Sequence, residues 1–300
     1  MTNTKNQPIV LVSTADDNYA MALAVTVKSA LVNLKNKRKV LLYVLDGNIT
    51  PAKKHKILKS LDSELIEIFW VQPDEALFVN MKIDEKYNTL AVYYRLFIPE
   101  LIPQHFDKAI YLDSDIVVLG DLEQLWNSDI GDNYVLAVQD IWQRYIRKAK
   151  GLRNYQEIGL SPDYKYFNAG VLVINLEKWR ADNIGTKAIE FLEQNRDYVR
   201  WHDQDGLNGV LAGKWGELDP RWNQMQAIYE YSSWTESPYT EDVFNQVLHN
   251  PHIVHFATFP KPWQQNCKHP KQDLFFDYLA LTAWGCTDTS LPNPSIINSD

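Results

Sequence analysis

Asp113-Ser114-Asp115 stands at the end of the apolar run Ala109-Ile110-Tyr111-Leu112 and is followed at once by Ile116-Val117-Val118-Leu119. In an extended chain, residues two apart point to the same side, so both carboxylates are expected on one face of a buried strand. Neither is stable there unpaired. A divalent cation satisfies two such oxygen donors, and hard cations often reach a protein through one or two carboxylates plus substrate phosphates. The bland alternative gives one aspartate to a turn and the other to solvent. D-x-D alone does not decide between them.

Further polar groups stand where other apolar runs begin or end. Ile9-Val10-Leu11-Val12 runs into Ser13-Thr14-Ala15-Asp16-Asp17-Asn18, a cluster rich in helix-capping types. These residues could cap the next helix or meet a ribose or phosphate at its start. A run from Val135 ends at Asp140, and Asn168-Ala169-Gly170 precedes the strand-like Val171-Leu172-Val173-Ile174-Asn175. Small residues there allow either a close approach of backbone to ligand or a bulge. Asp203-Gln204-Asp205 opens a short helix carrying Leu207, Val210 and Leu211, where acids serve as caps or as acceptors for sugar hydroxyls. Ile253-Val254-His255-Phe256 ends in histidine, with Lys261-Pro262-Trp263 shortly after.

The elements that must position these groups alternate between strand and helix. Leu23, Val27, Leu31 and Leu34 recur at helical spacing after Asn18. Val40-Leu41-Leu42-Tyr43-Val44-Leu45 reads as a second strand, Thr50 and Pro51 as the cap and first residue of a second helix, and Leu65 to Val71 as a third strand. Another helix is expected from Thr186 to Asn195. The alternation predicts an α/β fold with a mainly parallel sheet flanked by helices, which binds ligands at the carboxyl ends of its strands. Asp16 and Asp113 both lie at such ends.

The chain has 300 residues, 45% hydrophobic and 23% charged, which is ample for a sizeable core. Its net charge of −8 argues against non-specific nucleic-acid binding, which needs a basic face. No G-x-G-x-x-G follows the first strand and no Gly-Lys-Ser/Thr occurs, which argues against a dinucleotide dehydrogenase and a P-loop nucleotidase. The start, Met1 to Pro8, lacks a signal-peptide core, and no apolar stretch approaches a membrane span. Cys267 and Cys286 are the only cysteines and read as free thiols in a reducing compartment, though one bridge between them is not excluded. The expected location is cytoplasmic. Aromatic residues from Trp263 to Cys286 could form an interfacial helix at the inner membrane face, with packing on the domain the favoured reading. The 10 Trp and 16 Tyr suit sugar-stacking surfaces as well as core packing.

Taken together, the motifs resemble glycosyltransferase family 8, retaining enzymes of the GT-A fold. The resemblance rests on Ala15-Asp16-Asp17-Asn18-Tyr19, Tyr94-Arg95-Leu96, Tyr111-Leu112-Asp113-Ser114-Asp115 and Tyr166-Phe167-Asn168-Ala169-Gly170-Val171. It continues through Ile174-Asn175-Leu176 with Lys178-Trp179-Arg180, Asp203-Gln204-Asp205, and His255-Phe256 with Lys261-Pro262-Trp263. It is nearest to bacterial galactosyl- and glucosyltransferases that extend lipopolysaccharide or other surface glycans, with glycogenin more distant.

The resemblance implies a GT-A catalytic domain over residues 1–263 and a C-terminal extension over 264–300. It implies that Asp113, Asp115 and His255 bind Mn²⁺, with Mg²⁺ the second choice. Oxygen ligands plus one imidazole suit Mn²⁺. Ala15, Asp16 and Asn18 would hold the uracil and ribose of UDP-galactose or UDP-glucose, with Ser114 and Thr258 also on the donor side. Lys261 would pair with the diphosphate. Arg95, Asp140, Asn168, Ala169, Asp203 and Gln204 would surround the donor hexose, with Asp205 beside them and Gln204 nearest the anomeric carbon. Asp140 and Asp203 are the candidate nucleophiles. The acceptor would be an oligosaccharide or glycolipid hydroxyl. Thr258 departs from the glycine the family commonly has there. Rival readings are a metal-dependent UDP-sugar hydrolase or nucleotidyltransferase, a non-catalytic glycan-binding protein, and a self-glucosylating protein.

Overall fold

The first apolar run becomes β1 (Ile9–Asp16), buried along its length, and it leads straight into α1 (Ala20–Val32). A computed structural model describes residues 7–78, 81, 89–147 and 152–285. Residues 1–6 and 286–300 lie outside them, and with these go part of the leader reading, Cys286 and the last 15 residues of the expected C-terminal extension. Next come β2 (Val40–Gly47), α2 (Pro51–Ser60) and β3 (Ile66–Val71). Pro51 opens α2 as expected, but Thr50 makes no side-chain cap; its N–H instead donates to Asp17 Oδ1 at 2.9 Å.

The short helix α3 (Ile98–Leu101) precedes β4 (Lys108–Leu112) and β5 (Ile116–Val118), and α4 (Leu122–Trp126) precedes β6 (Val135–Gln139) and β7 (Phe167–Asn175). Helices α5 (Leu176–Asp182), α6 (Ile184–Gln194) and α7 (His202–Leu211) follow. The last elements are β8 (Gly216–Glu217), β9 (Gln224–Met225), α8 (Glu241–His249), β10 (Ile253–His255) and α9 (Gln272–Leu279).

The main sheet runs β3-β2-β1-β4-β7-β6-β8. It is mainly parallel, as the alternation predicts, and β7 alone runs against both its neighbours. That reversal builds the site. An antiparallel β7 starts at the rim where β4 and β6 end, so Asn168-Ala169-Gly170 lies beside Asp113 and Asp140. The backbone confirms the register: Asp113 N–H donates to Gly170 O at 2.8 Å, and Asp140 N–H to Tyr166 O at 2.9 Å. Asn-Ala-Gly is therefore inside the strand rather than before it, opposite a register shift between Ala137 and Val138 of β6.

A second sheet, β5-β10-β9, starts where the first ends. Asp113 and Asp115 occupy the break between β4 and β5, not one face of a continuous strand. Because β10 runs antiparallel to β5, His255 is opposite Ile116, and Phe256 N–H donates to Asp115 O at 3.0 Å. The histidine thus arrives beside the second aspartate. Helix α9 packs Phe275 into a cluster with Ala22 and Val25 of α1, Val117, Val254 and Phe256. Asn33 also donates to Tyr278 Oη at 2.7 Å. Among the described residues no helix is long and apolar enough to cross a membrane.

Candidate active site

Two sheet edges and the start of α7 enclose a cavity of about 730 Å³. On its floor, one ligand atom each from Asp113, Asp115 and His255 lie within 4.8 Å of one another. His255 Nε2 is 3.3 Å from Asp115 Oδ1 and 3.7 Å from Asp113 Oδ2. Its Nδ1 meets Asn223 Oδ1 at 2.9 Å, which leaves Nε2 as the atom facing the carboxylates. Gly170 keeps the space open: a Cβ there would fall 2.4 Å from His255 Cε1 and 2.7 Å from Asp113 Oδ2. Two carboxylates, one imidazole and a void beside them fit a divalent metal.

Cations balance the acids. Lys261 Nζ lies 2.5 Å from Asp115 Oδ2 and 2.7 Å from Phe256 O, with only 3% of the residue exposed. Burial alone would raise the Asp115 carboxyl, but Lys261 and His255 more than offset that and hold it well below the usual carboxylate range. The Arg95 guanidinium is 2.8 Å from Asp113 Oδ1, donates to Ala169 O at 2.8 Å and lies over the Tyr111 ring. Tyr111 Oη donates to the same Asp113 oxygen at 2.8 Å. Arg95 Nε also approaches Asp203 Oδ2 at 2.9 Å, an ion contact angled away from a hydrogen bond. Burial pushes the Asp203 carboxyl up to about 7 against the pull of Arg95.

On the far wall Asp140 is saturated with donors. Its Oδ1 accepts from the N–H groups of Trp142 and Gln143 at 2.9 and 2.8 Å. Its Oδ2 accepts from Asn168 Nδ2 and Gln204 Nε2, both at 3.3 Å. Gln204 Oε1 in turn accepts from Ala169 N–H at 3.0 Å. One face of the cavity therefore carries charge for a phosphate, and the other a fixed amide–carboxylate network suited to sugar hydroxyls.

Comparison with known proteins places the chain in a family. A family model described as "Glycosyl transferase family 8" matches residues 10–267. This chain belongs to glycosyltransferase family 8. It is 35% identical over 295 residues to General stress protein A of Bacillus subtilis, covering 97% of this chain and 99% of that one. It is 26% identical to the lipopolysaccharide 1,2-glucosyltransferase of Escherichia coli, over 65% of this chain and 55% of that protein. Among solved structures it is similar to the galactosyltransferase LgtC in complex with donor and acceptor sugar analogues. That likeness has a TM-score of 0.79 and 29% identity, covering 95% of this chain and 98% of that one. The family 8 chain has the GT-A fold and is a glycosyltransferase.

Nearly all the residues picked from the sequence line this one cavity. Asp16, Ala15 and Ser114 lie toward α1; Asn168, Ala169, Asp203 and Gln204 lie opposite; Thr258 and Lys261 close the side beside Asp115. Asp16 Oδ1 also accepts from Tyr19 N–H at 3.0 Å, so it caps the entry to α1 while lining the cavity. Asn18 is exposed and does not line it, and Asp17 is turned to Lys53 of α2. Asp205 is a correction. Fully buried, it accepts from Tyr166 Oη and from the N–H groups of Arg200 and Trp201, behind the cavity rather than in it. Thr258 lines the cavity with its hydroxyl donating to Gln226 Oε1. Sequence reasoning missed Asn223 and Trp201, and reached Trp142 only as the start of a variable segment, to about Lys165, expected to meet the acceptor. The two tryptophans stand in loops and line the cavity, and aromatic content was the only hint of Trp201. Asn223 is 32 residues from the histidine it touches and had no local signal.

Proposed function

We propose that this glycosyltransferase moves galactose or glucose from a UDP-sugar to a hydroxyl of a glycan or glycolipid, with retention at the anomeric carbon and with Mn²⁺ bound by Asp113, Asp115 and His255. The observation that carries the reading is the convergence of these three ligands and Lys261 on one side of a cavity whose other side is the Asp140–Asn168–Gln204 network. A bound divalent ion supplies electrostatic stabilisation of the diphosphate as negative charge grows on it.

Lys261 adds a positive charge at the same end, in a buried setting where Coulomb attraction is weakly screened. Ala15 and Asp16 are assigned to the base and ribose, with Asn18 beside them at the rim. Ser114 and Thr258 line the donor side, and Arg95 holds Asp113, Asp203 and the Ala169 carbonyl in place.

Retention calls for a carboxylate nucleophile or a front-side route. Asp140 has each oxygen engaged by two donors, and Asp203 is held against Arg95. Gln204, an amide, is a poor nucleophile. A front-side displacement fits better: the anomeric C–O bond to the phosphate breaks as the acceptor oxygen bonds on the same face. The acceptor proton goes to the departing phosphate oxygen. A glycosyl adduct on Asp140 or Asp203, seen by mass spectrometry, would overturn this route.

The deciding experiment is UDP release from UDP-galactose and UDP-glucose, with and without Mn²⁺, for wild type and Asp115→Asn. Metal-dependent release that the substitution abolishes is the expected result, and the faster donor identifies the sugar. No release, with no metal-dependent UDP binding by calorimetry, would refute the reading.

A further inference from the structure

One buried residue outside the cavity joins its two halves. Asn223 ends the turn Pro220–Asn223, immediately before β9, and is 1% exposed. Its Oδ1 meets His255 Nδ1 at 2.9 Å, and its Nδ2 meets Asn168 Oδ1 at 2.9 Å. The orientation of both amides follows from a single unambiguous donor. Gly170 N–H is 3.0 Å from the Asn168 side-chain oxygen, so that atom is an acceptor. Whatever else faces it must donate, which makes the facing atom of Asn223 its NH₂. The other end of Asn223 is then its carbonyl, and His255 Nδ1 must carry the proton that reaches it. Asn168 Nδ2 is left pointing at Asp140 Oδ2, where Gln204 also donates.

The result is a one-way chain of donors. It runs from His255 through Asn223 to Asn168, and from Asn168 to Asp140. A metal-ligating histidine is held by the group that accepts from its other nitrogen, and loss of such a partner typically weakens metal binding. Here that partner is also the support of the sugar-side amide.

We propose that Asn223 is a positioning residue that sets the metal ligand His255 and the donor-sugar residue Asn168 together, by one amide held in one orientation. The inference rests on the metal and donor assignment made above. Its two contacts are separable by chemistry. Asn223→Ala removes both. Asn223→Asp keeps an oxygen for His255 Nδ1–H but turns a second oxygen toward Asn168 Oδ1, where two acceptors repel. Asn168 must then rotate, and it cannot satisfy Gly170 N–H and Asp140 together.

The test titrates each protein with Mn²⁺ alone, following free Mn²⁺ by electron paramagnetic resonance, and separately measures turnover of the UDP-hexose. Asn223→Ala is expected to weaken Mn²⁺ binding about 10–100-fold. Asn223→Asp is expected to bind Mn²⁺ no more weakly than wild type, while its kcat falls about 10–100-fold. Wild-type Mn²⁺ affinity in Asn223→Ala would overturn the proposal, and so would unchanged turnover in Asn223→Asp. Equal loss of Mn²⁺ binding in both variants would also overturn it, reducing Asn223 to a packing role. Should Asn223→Ala not fold, Asn223→Asp carries the test: metal kept and turnover lost supports the inference, and both lost refutes it. Absence of Mn²⁺ binding by the wild type would instead remove the metal assignment itself, and the inference with it.

Discussion

A methyl group at position 170 would lie 2.4 Å from His255 Cε1 and 2.9 Å from its Nδ1, inside any real carbon contact. His255 cannot retreat easily, since it belongs to β10, is 3% exposed and is held from behind by Asn223. Gly170 is not in the left-handed region, so the demand on it is steric rather than conformational. Gly170→Ala should therefore cost about 1–3 kcal/mol in urea unfolding through overpacking. It should also weaken Mn²⁺ binding by about tenfold or more in calorimetry, because it displaces the imidazole proposed as one of the three ligands. Unchanged Mn²⁺ affinity would mean that the three side chains do not form one site. The role of this glycine was half legible: Asn-Ala-Gly signalled either a close approach of backbone to a ligand or a bulge, and the structure has a register shift opposite it and the side chains of His255 and Asp113 against it. What the local pattern lacked was the neighbour, His255, which arrives from 85 residues further along the chain.

Strand β5 is three residues long and, among the described residues, has a β-strand partner on only one side, β10, so its other edge needs a different neighbour. Helix α1 supplies it with hydroxyls. Thr26 Oγ1 donates toward Ser114 O at 2.9 Å and Ile116 O at 2.7 Å, and accepts from Ile116 N–H at 3.2 Å. Ser29 Oγ accepts from Val118 N–H at 2.9 Å. These bonds pin the backbone of the segment that carries Asp115. Thr26→Val keeps the shape but leaves buried backbone groups without a partner, a loss of about 1–3 kcal/mol in chemical denaturation. Ile57→Val, in α2 and outside the cluster around Val117 and Val254, would serve as the stability control. Of two variants equally destabilised, only Thr26→Val should also weaken Mn²⁺ binding; equal metal affinity would separate the helix from the site. This arrangement explains an error of expectation. Asp113 and Asp115 read as one strand because the runs on both sides are apolar, yet the chain changes sheet between them. Periodicity reports which residues are buried and is silent about which sheet buries them.

Across the whole molecule, the parallel half was legible from its β-α-β alternation, since right-handed crossovers leave few ways to arrange Ile9–Val71. In the second half the strands from Val135 and Ile253 and the helices near Thr186 and Asp203 all form as expected, but the direction of β7 was not legible, because it follows a long connection after Asp140. The same long-range packing sets the response of the molecule to pH. His269, between β10 and α9, is 6% exposed and lies against the rings of Phe256 and Tyr229. Its Nδ1 accepts from Lys271 N–H at 3.1 Å, and its Nε2 has no hydrogen-bond partner among the described residues. Burial, helped by His255 and Lys271, lowers its pKa to about 4 from an ordinary 6.5. The unfolded chain therefore binds the proton first as pH falls, so His269 costs stability progressively from pH 6.5 down to 4 and nothing above that window. Asp16, Asp203 and Asp205 have raised values and act in the opposite sense, their contribution being lost as pH rises. The informative quantity is thus the difference between wild type and His269→Phe, which removes the titration and keeps an aromatic ring. Urea midpoints at pH 7 and pH 4.5 should show the variant gaining on wild type toward acid, by roughly 2–3 kcal/mol near pH 4. Parallel pH profiles would show that His269 is already protonated, or solvated, in the folded chain, and that the seam between β10 and α9 is open to water.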